Sequence, residues 1–111
     1  MSSRVVAAFV LLCTMVLGTP GAMAGCYENV GCTAKEYFSR DALSEFSCQN
    51  LAFLRNSIYG ENGYCFKSAE YSSMFPNETC RFSDSADVPL NDFERANVFA
   101  IVDAERNNGC R

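Results

Sequence analysis

The chain has 111 residues, of which 49% are hydrophobic and 20% charged, and its formal net charge is −4. It contains no histidine, which excludes serine–histidine and cysteine–histidine nucleophiles and the usual histidine-bearing zinc sites. The chain has more acidic than basic residues and no cluster of basic ones. Nucleic acid and anionic lipid are therefore not expected as partners, because they are negatively charged like the protein.

The first 24 residues have the pattern of a signal peptide. Arg4 is followed by an apolar run over residues 5–18, and residues 22–24 (Ala-Met-Ala) place small side chains where a signal peptidase cleaves. We expect residues 25–111 to form one exported domain. The apolar run is shorter than the roughly 20 residues of a membrane span, and no later segment is as long, so no membrane span is expected.

Residues 23–26 (Met-Ala-Gly-Cys) also resemble a bacterial lipobox, in which Cys26 becomes the lipidated first residue. Of the seven cysteines, Cys13 leaves with the signal peptide and six remain, an even number as a fully paired exported domain requires. The count favours a domain released into the periplasm or the medium. A lipoprotein anchored through Cys26 is the alternative.

The six remaining cysteines predict three disulfides, because export carries them to an oxidising compartment and small exported domains commonly need such links. We favour Cys26–Cys32 because these two are close in sequence. The other four cysteines allow three connectivities. Of these, we favour Cys65–Cys80 with Cys48–Cys110.

Two helices are predicted in the first half of the domain. Thr33 followed by Glu36 has the spacing of a capping box and predicts a short helix that begins near Ala34. Ser47 is a good N-cap for a second helix. Its apolar residues recur at helical spacing, namely Leu51, Leu54 and Ile58.

The segment YGENGYCF, residues 59–66, predicts a chain reversal. Gly60, Asn62 and Gly63 all tolerate a positive φ, so the second helix can stop at the two glycines and turn within a few residues. The chain then returns to the core at Cys65, where a disulfide would hold the reversal in place.

Two more helices follow. Ser68 predicts a short third helix that Pro76 ends. Residues 77–79 (Asn-Glu-Thr) form a glycosylation sequon, which matters only in a eukaryotic source. The last helix should begin at Asn91, with a glutamate three residues on as its capping-box partner, and stop at Gly109. We therefore predict a mainly α fold: a small disulfide-stapled bundle of three to four short helices with irregular connections.

These residues also carry a family resemblance. The motif residues are Arg55-Asn56-Ser57-Ile58-Tyr59, then Gly63-Tyr64-Cys65-Phe66-Lys67, then Leu90, Glu94, Asn97, Ile101 and Glu105 at helical spacing. Over about residues 43–110 the chain resembles the YARHG domain, a small module of exported and envelope-associated bacterial proteins. Where the family has Tyr-Ala-Arg-His-Gly, this chain has Tyr-Gly-Glu-Asn-Gly at residues 59–63, so no role of the Arg-His pair transfers. The resemblance implies an extracytoplasmic domain and brings no established biochemical activity.

Four polar residues of the resemblance predict a network between two helices. Arg55 and Asn56 lie beside apolar neighbours on one helix, and Glu94 and Asn97 lie on the other. A charge-assisted hydrogen-bond network at the helix contact would satisfy them. We favour this structural role over ligand binding, because buried polar groups usually have partners within the protein.

Without histidine, carboxylates are the main acid and base groups. They are spread along the chain at Glu61, Glu70, Asp84, Asp87, Asp92 and Asp103, and we interpret them as solvated surface charge. We therefore expect no enzyme activity, with a carboxylate-based glycosidase as a remote alternative. The group Asp84, Asp87 and Asn91 lacks the order of an EF-hand loop, so we expect no metal and no cofactor.

Two classes of function fit this sequence. The first is a small exported binding module that engages an envelope protein or a cell-wall component. Tyr59, Tyr64 and the exposed Glu61-Asn62 turn would form its contact surface, since exposed loops and aromatic side chains commonly supply binding contacts. The alternative is a secreted inhibitor or effector of another protein. Nothing in the sequence indicates an oligomeric state.

Overall fold

The computed structural model describes residues 25–75 and 79–110. Within these ranges, in chain order, lie β1 (Cys26–Tyr27), β2 (Gly31–Cys32), α1 (Arg40–Ser44), α2 (Cys48–Glu61), α3 (Ala69–Met74), a 3₁₀ turn (Ser85–Asp87) and α4 (Asp92–Asn107). The prediction of a mainly helical fold is confirmed. No helix in the described ranges combines the length and apolar character that crossing a bilayer requires. The predicted signal peptide, Pro76 and the first two sequon residues lie outside these ranges.

The core lies between α2 and α4, which pack against each other. Its buried side chains are Leu51, Leu54 and Ile58 of α2, Ala100, Ile101 and Ala104 of α4, Leu43 of α1, and Phe38. The apolar spacing predicted for α2 is therefore confirmed. Burying one leucine or isoleucine of this kind contributes about 1.5 to 3 kcal/mol, so the two long helices dominate the stability of the domain.

Three helices begin at the predicted capping residues. Ser47 and Ser68 accept hydrogen bonds from the backbone N–H three residues on, at 3.1 and 3.2 Å. Asn91 and Glu94 form a complete capping box, in which each side chain accepts from the other's backbone N–H at 2.8 Å. These helix starts were predictable because they use groups only three residues apart.

The helix predicted near Ala34 is wrong. This segment forms turns, and the first helix is instead capped by Ser39. The Asn97 amide donates to the carbonyl oxygens of Thr33 and Glu36, at 3.1 and 2.9 Å. A helix starting at Ala34 would use those carbonyls for its own backbone hydrogen bonds, so a contact from α4 decides the conformation.

Gly60 does not stop α2, contrary to the prediction, because the helix continues to Glu61. A Cβ added to Gly60 would lie 2.8 Å from the Phe75 ring and 3.0 Å from the Phe66 ring. Such distances are too short for carbon atoms in contact. Gly60 therefore permits close packing rather than a turn.

Gly63 supplies the predicted reversal, with a φ of 98°. The Tyr64 N–H donates to the Tyr59 carbonyl at 3.1 Å, and the Gly63 N–H donates to the Gly60 carbonyl at 3.3 Å. This pair of bonds is a Schellman motif. The same motif ends α4 around Gly109, whose φ is 74°, so the predicted stop there is confirmed.

The chain re-enters packed structure directly after the turn, as predicted. Tyr64 forms an isolated parallel bridge with Phe82. The Cys65 N–H donates to the Phe82 carbonyl, and the Arg81 N–H donates to the Gly63 carbonyl, both at 2.7 Å. These bonds join the turn after α2 to the segment around residue 81.

The cysteines form three disulfides, Cys26–Cys32, Cys48–Cys110 and Cys65–Cys80. The favoured connectivity is confirmed. Cys48–Cys110 joins the first residue of α2 to the residue after the Schellman turn of α4, so it ties together the ends of the two core helices.

Candidate functional site

A solvent-open cleft of about 580 Å³ lies beside the carboxyl end of α2. Its lining consists of residues 25–26, 32–35, 60–63 and 79–81 together with Phe75 and Glu94. One wall is thus the β1–β2 hairpin with the turn that follows it, and the opposite wall is the segment around Cys80. The end of α2 lies between them.

Glu61 joins the hairpin to the end of α2. Its carboxylate accepts hydrogen bonds from the Tyr27 hydroxyl at 2.6 Å and from the Thr33 hydroxyl at 2.9 Å. Burial, together with the hydrogen bond to Glu61, raises the pKa of Tyr27 to about 12. Glu61 is therefore a structural link across the floor of the cleft and not only an exposed turn residue.

Asn62 makes a second link in the cleft. Its amide donates to the Ile58 carbonyl at 2.7 Å and to the Glu94 carboxylate at 3.0 Å. Glu94 is only 6% exposed, and its other oxygen completes the Asn91 capping box. The turn predicted as an exposed contact surface is thus attached to α4.

Asn97 of α4 is not among the residues that line the cleft and is 1% exposed. Besides donating to the carbonyls of Thr33 and Glu36, it accepts a hydrogen bond from the Phe38 N–H at 2.8 Å. All three bonds go to the segment between β2 and α1. Asn97 therefore positions the residues that follow the hairpin wall.

The predicted network of Arg55, Asn56, Glu94 and Asn97 does not form as one unit. Arg55 instead makes a two-pronged ion pair with Glu105, at 2.9 and 2.8 Å. Hydrogen bonding to Glu105 raises the pKa of Arg55. The Asn56 side chain makes no hydrogen bond to any residue in the described ranges. The network does not form because its members lie at different heights along the helices. Glu94 and Asn97 are near the start of α4, whereas Glu105, the partner of Arg55, is near its end.

Tyr59 and Tyr64, the other two predicted contact residues, do not line the cleft. Their rings lie 6.3 Å apart, centre to centre, and Tyr64 packs edge-on against Phe66 at 4.9 Å. Phe66 in turn stacks on Phe75 at 5.4 Å. The two tyrosines belong to an aromatic cluster between α2 and α3, so of the four predicted contact residues only Glu61 and Asn62 reach the cleft.

Sequence reasoning missed the hairpin and the contacts that Tyr27 and Thr33 make with Glu61. A signal was present, because Asn29 and Gly31 lie between two cysteines close in sequence, and both residue types tolerate positive φ. Their φ values are 73° and 112°. A turn flanked by paired cysteines is compatible with a hairpin.

Among the described residues that line the cleft, the charged groups are two carboxylates and two cations. Glu61 and Glu94 each accept hydrogen bonds at both oxygens, whereas Lys35 and Arg81 are exposed. Neither cation makes a side-chain hydrogen bond or an ion pair with a described residue; the Arg81 guanidinium lies 5.3 Å from the centre of the Phe82 ring. Residues 25–75 and 79–110 hold no group of three side chains suited to binding a metal ion. Among the described lining residues, the charges without a hydrogen-bond or ion-pair partner are therefore positive.

The sequence profile of the YARHG domain matches residues 27–106. The chain belongs to the YARHG domain family. The match begins at Tyr27, whereas the motif residues indicated a resemblance only from about residue 43. This YARHG domain therefore includes the hairpin and α1. No curated protein and no solved structure matches the chain. The family and the three disulfides together indicate an extracytoplasmic domain.

In this YARHG domain the motif segment 59–63 forms the Schellman turn, and four of its five residues also line the cleft. Tyr59 and Gly63, which agree with the family name, hold the Schellman turn through backbone bonds. Gly60, Glu61 and Asn62, which replace Ala-Arg-His, lie between them and line the cleft.

Proposed function

We propose that this YARHG domain is a non-catalytic binding module of the bacterial envelope, which takes an envelope protein or a cell-wall component into the cleft. The observation that carries the proposal is that the three residues replacing Ala-Arg-His line one preformed cavity of about 580 Å³. That volume is within the range of about 300 to 1,000 Å³ typical of ligand sites.

Hydrogen bonds and a disulfide hold the walls of the cleft in place. Glu61 holds the hairpin wall, Asn62 holds the end of α2 to α4, and the Cys65–Cys80 disulfide holds the opposite wall. Because these groups are already ordered, binding would lose little conformational entropy. A preformed site on a disulfide-linked scaffold is suited to recognition.

The chemistry of the cleft supports binding rather than catalysis. Both carboxylates are engaged in hydrogen bonds that hold the fold together, and an acid or base needs an oxygen free to reach the substrate. Lys35 and Arg81 have no such structural role. They are suited to contacting carboxylate or other polar oxygen groups of a partner.

A binding experiment with paired variants tests this function. The oxidised protein, Lys35→Ala/Arg81→Ala and Arg106→Ala are each immobilised and exposed to envelope extract and to isolated cell wall. Arg106 is an exposed arginine that lies outside the cleft and pairs with Asp103, so its removal controls for loss of positive charge. Circular dichroism confirms that all three are folded.

We expect the parent and Arg106→Ala to retain the same envelope protein or wall fragment and the double variant to bind about tenfold more weakly. Equal retention by all three proteins would place the binding surface outside the cleft. Retention of neither class of bait by the parent would contradict the proposed function.

A further inference from the structure

The solvent side of α4 carries an exposed phenylalanine. Phe99 is 69% exposed, more than any other large hydrophobic side chain in the described ranges. Successive residues of a helix are about 100° apart, so the buried residues of α4 lie on its opposite side; they are Glu94, Asn97, Ala100, Ile101 and Ala104. A single exposed phenylalanine is common on protein surfaces and by itself indicates no function. The residues around it therefore decide whether this surface has a partner.

Four charged residues share this side of the helix with Phe99. They follow one another at intervals of three or four residues, which places them in one stripe along the helix. The stripe is called the outer face below and consists of Asp92, Arg95, Phe99, Asp103 and Arg106. It thus has a carboxylate and a guanidinium at each end and an aromatic ring at its centre.

Ion pairs within each end of the outer face hold its charges in place. Arg95 pairs with Asp92, and Arg106 pairs with Asp103 at 3.0 Å. Arg40 of α1 also donates to Asp103, at 2.9 Å. A carboxylate has about four lone-pair sites, so both carboxylates can accept further hydrogen bonds from a second molecule.

The order of charges on the outer face is complementary to itself when it is read backwards. Asp92 and Arg106 are each seven residues from Phe99, and Arg95 and Asp103 are each four residues from it. A second α4 that runs in the opposite direction, centred on Phe99, therefore brings all four charges to the height of an opposite charge. A parallel copy in the same register would place carboxylate against carboxylate and guanidinium against guanidinium.

Small apolar side chains flank Phe99 and allow two helices to approach each other. Ala96 is exposed and Val102 is partly exposed, and both are three residues from Phe99. In the antiparallel register each alanine lies at the height of a valine of the second helix. Side chains of this size suit the 8–10 Å that commonly separates packed helix axes. The centre of the contact is thus apolar and its ends are charged, as in protein interfaces generally.

We propose that the outer face of α4 is a homodimer interface, in which two copies of the protein pack these helices antiparallel with their Phe99 rings at the crossing. Arg95 then contacts the partner's Asp103, and Asp92 contacts the partner's Arg106. None of these residues is among those that line the cleft, so the dimer does not depend on the proposed function. For the same reason Arg106→Ala leaves the cleft lining intact and remains a control for binding at the cleft.

The dimer is expected to be reversible. α4 has 16 residues and is about 24 Å long, so one pair of these helices forms an interface at or below the roughly 1,200 Å² at which stable interfaces begin. Exposed ion pairs add little affinity but select the orientation. Burial of Phe99 therefore supplies most of the attraction, and the charges set the register.

Sedimentation equilibrium tests for the dimer and for the role of Phe99. The oxidised protein is measured between about 1 µM and about 1 mM, beside Phe99→Ser and Met74→Ser. Met74 lies on α3 and is 49% exposed, so Met74→Ser controls for loss of an exposed apolar side chain. We expect the parent and Met74→Ser to dimerise alike and Phe99→Ser to dimerise at least about tenfold more weakly. A monomeric parent throughout, or equal dimerisation by Phe99→Ser and Met74→Ser, would overturn the proposal.

Charge reversal tests the antiparallel register. Arg95→Glu and Asp103→Lys each place like charges opposite each other twice in the dimer, so each variant alone should dimerise at least about tenfold more weakly than the parent. In an equimolar mixture the introduced carboxylate of one variant faces the introduced ammonium of the other, and the unchanged Arg95 and Asp103 also face each other. The mixture should therefore recover the dimerisation of the parent.

Two outcomes of the charge reversal would contradict the register. One is undiminished dimerisation of each variant alone, and the other is a mixture that associates no better than its components. Circular dichroism confirms that the variants are folded. If either is not, Asp92→Lys and Arg106→Glu form the equivalent pair at the ends of the outer face and decide the question.

Discussion

Tyr27 and Glu61 are separated by 34 positions in the chain, and the Tyr27 hydroxyl donates to the Glu61 carboxylate at 2.6 Å. This bond connects the hairpin to Glu61, the last residue of α2, which lines the cleft. Glu61 has the sequence context of an exposed turn, but its side chain makes a tertiary contact. The stability of the domain should therefore be sensitive to both partners.

The first prediction concerns the coupling between these two residues. Tyr27→Phe and Glu61→Ala should each destabilise the domain by about 1 kcal/mol or more, because each removes a side-chain hydrogen bond. The double variant should lose less than the sum of the two single losses, by about 0.5 kcal/mol or more. Urea denaturation of the four proteins measures this cycle. Strict additivity would show that the bond does not contribute in solution.

The second prediction is a pH dependence. The pKa of Tyr27 rises from 10.0 to about 12 on folding, so the folded state favours the neutral phenol. Its contribution is fully present below pH 10 and is lost as the pH rises through 12. The parent should therefore lose its stability advantage over Tyr27→Phe across this window. Denaturation of both proteins along the same pH series provides the comparison, and a constant difference would contradict the shifted pKa.

The third prediction compares two asparagines on the two core helices. Asn97→Ala leaves the Phe38 N–H and the carbonyls of Thr33 and Glu36 without their partner, and it should cost about 2 to 4 kcal/mol. Asn56→Ala removes a side chain that bonds to no residue in the described ranges and should change stability by about 0.5 kcal/mol at most. Thermal and urea melts measure both. Similar losses in the two variants would show that Asn97 does not position the segment after the hairpin.

The fourth prediction separates two roles of glycine. Gly60→Ala places a Cβ 2.8 Å from the Phe75 ring and should destabilise the domain by about 1 to 3 kcal/mol, although alanine favours a helix by about 1 kcal/mol. In Gly109→Ala the added Cβ has no atom within 4 Å, so this variant should lose stability only because alanine is strained at a φ of 74°. Both losses are measured by urea denaturation.

A second change distinguishes the two causes. Phe75→Leu should recover part of the loss in Gly60→Ala, because a smaller side chain relieves the close approach, and it should recover none of the loss in Gly109→Ala. If Phe75→Leu has the same effect in both backgrounds, the packing role assigned to Gly60 is wrong.

Much of the helical framework was predictable because its signals are local. Ser47, Ser68 and Asn91 cap their helices through groups three residues away. Gly63 and Gly109 mark turns through their own φ values. Six cysteines in residues 25–111 predicted three disulfides, and closeness in sequence favoured Cys26–Cys32; the connectivity favoured for the other four is also the one that the structure contains.

The cleft depended on contacts between residues far apart in sequence. Thr33 and Glu36 have the spacing of a capping box. However, the amide of Asn97, more than 60 positions away, donates hydrogen bonds to their backbone carbonyls. Those carbonyls are then not used for helical hydrogen bonds, and no helix forms there. Glu61 has the sequence context of an exposed turn, yet Tyr27 and Thr33 hold it in place. Local propensity contributes at most about 1 kcal/mol per residue, whereas leaving a buried polar group without a partner costs about 1 to 3 kcal/mol. Tertiary hydrogen bonding therefore outweighs the local signal at these positions, and only the packed structure decides the cleft.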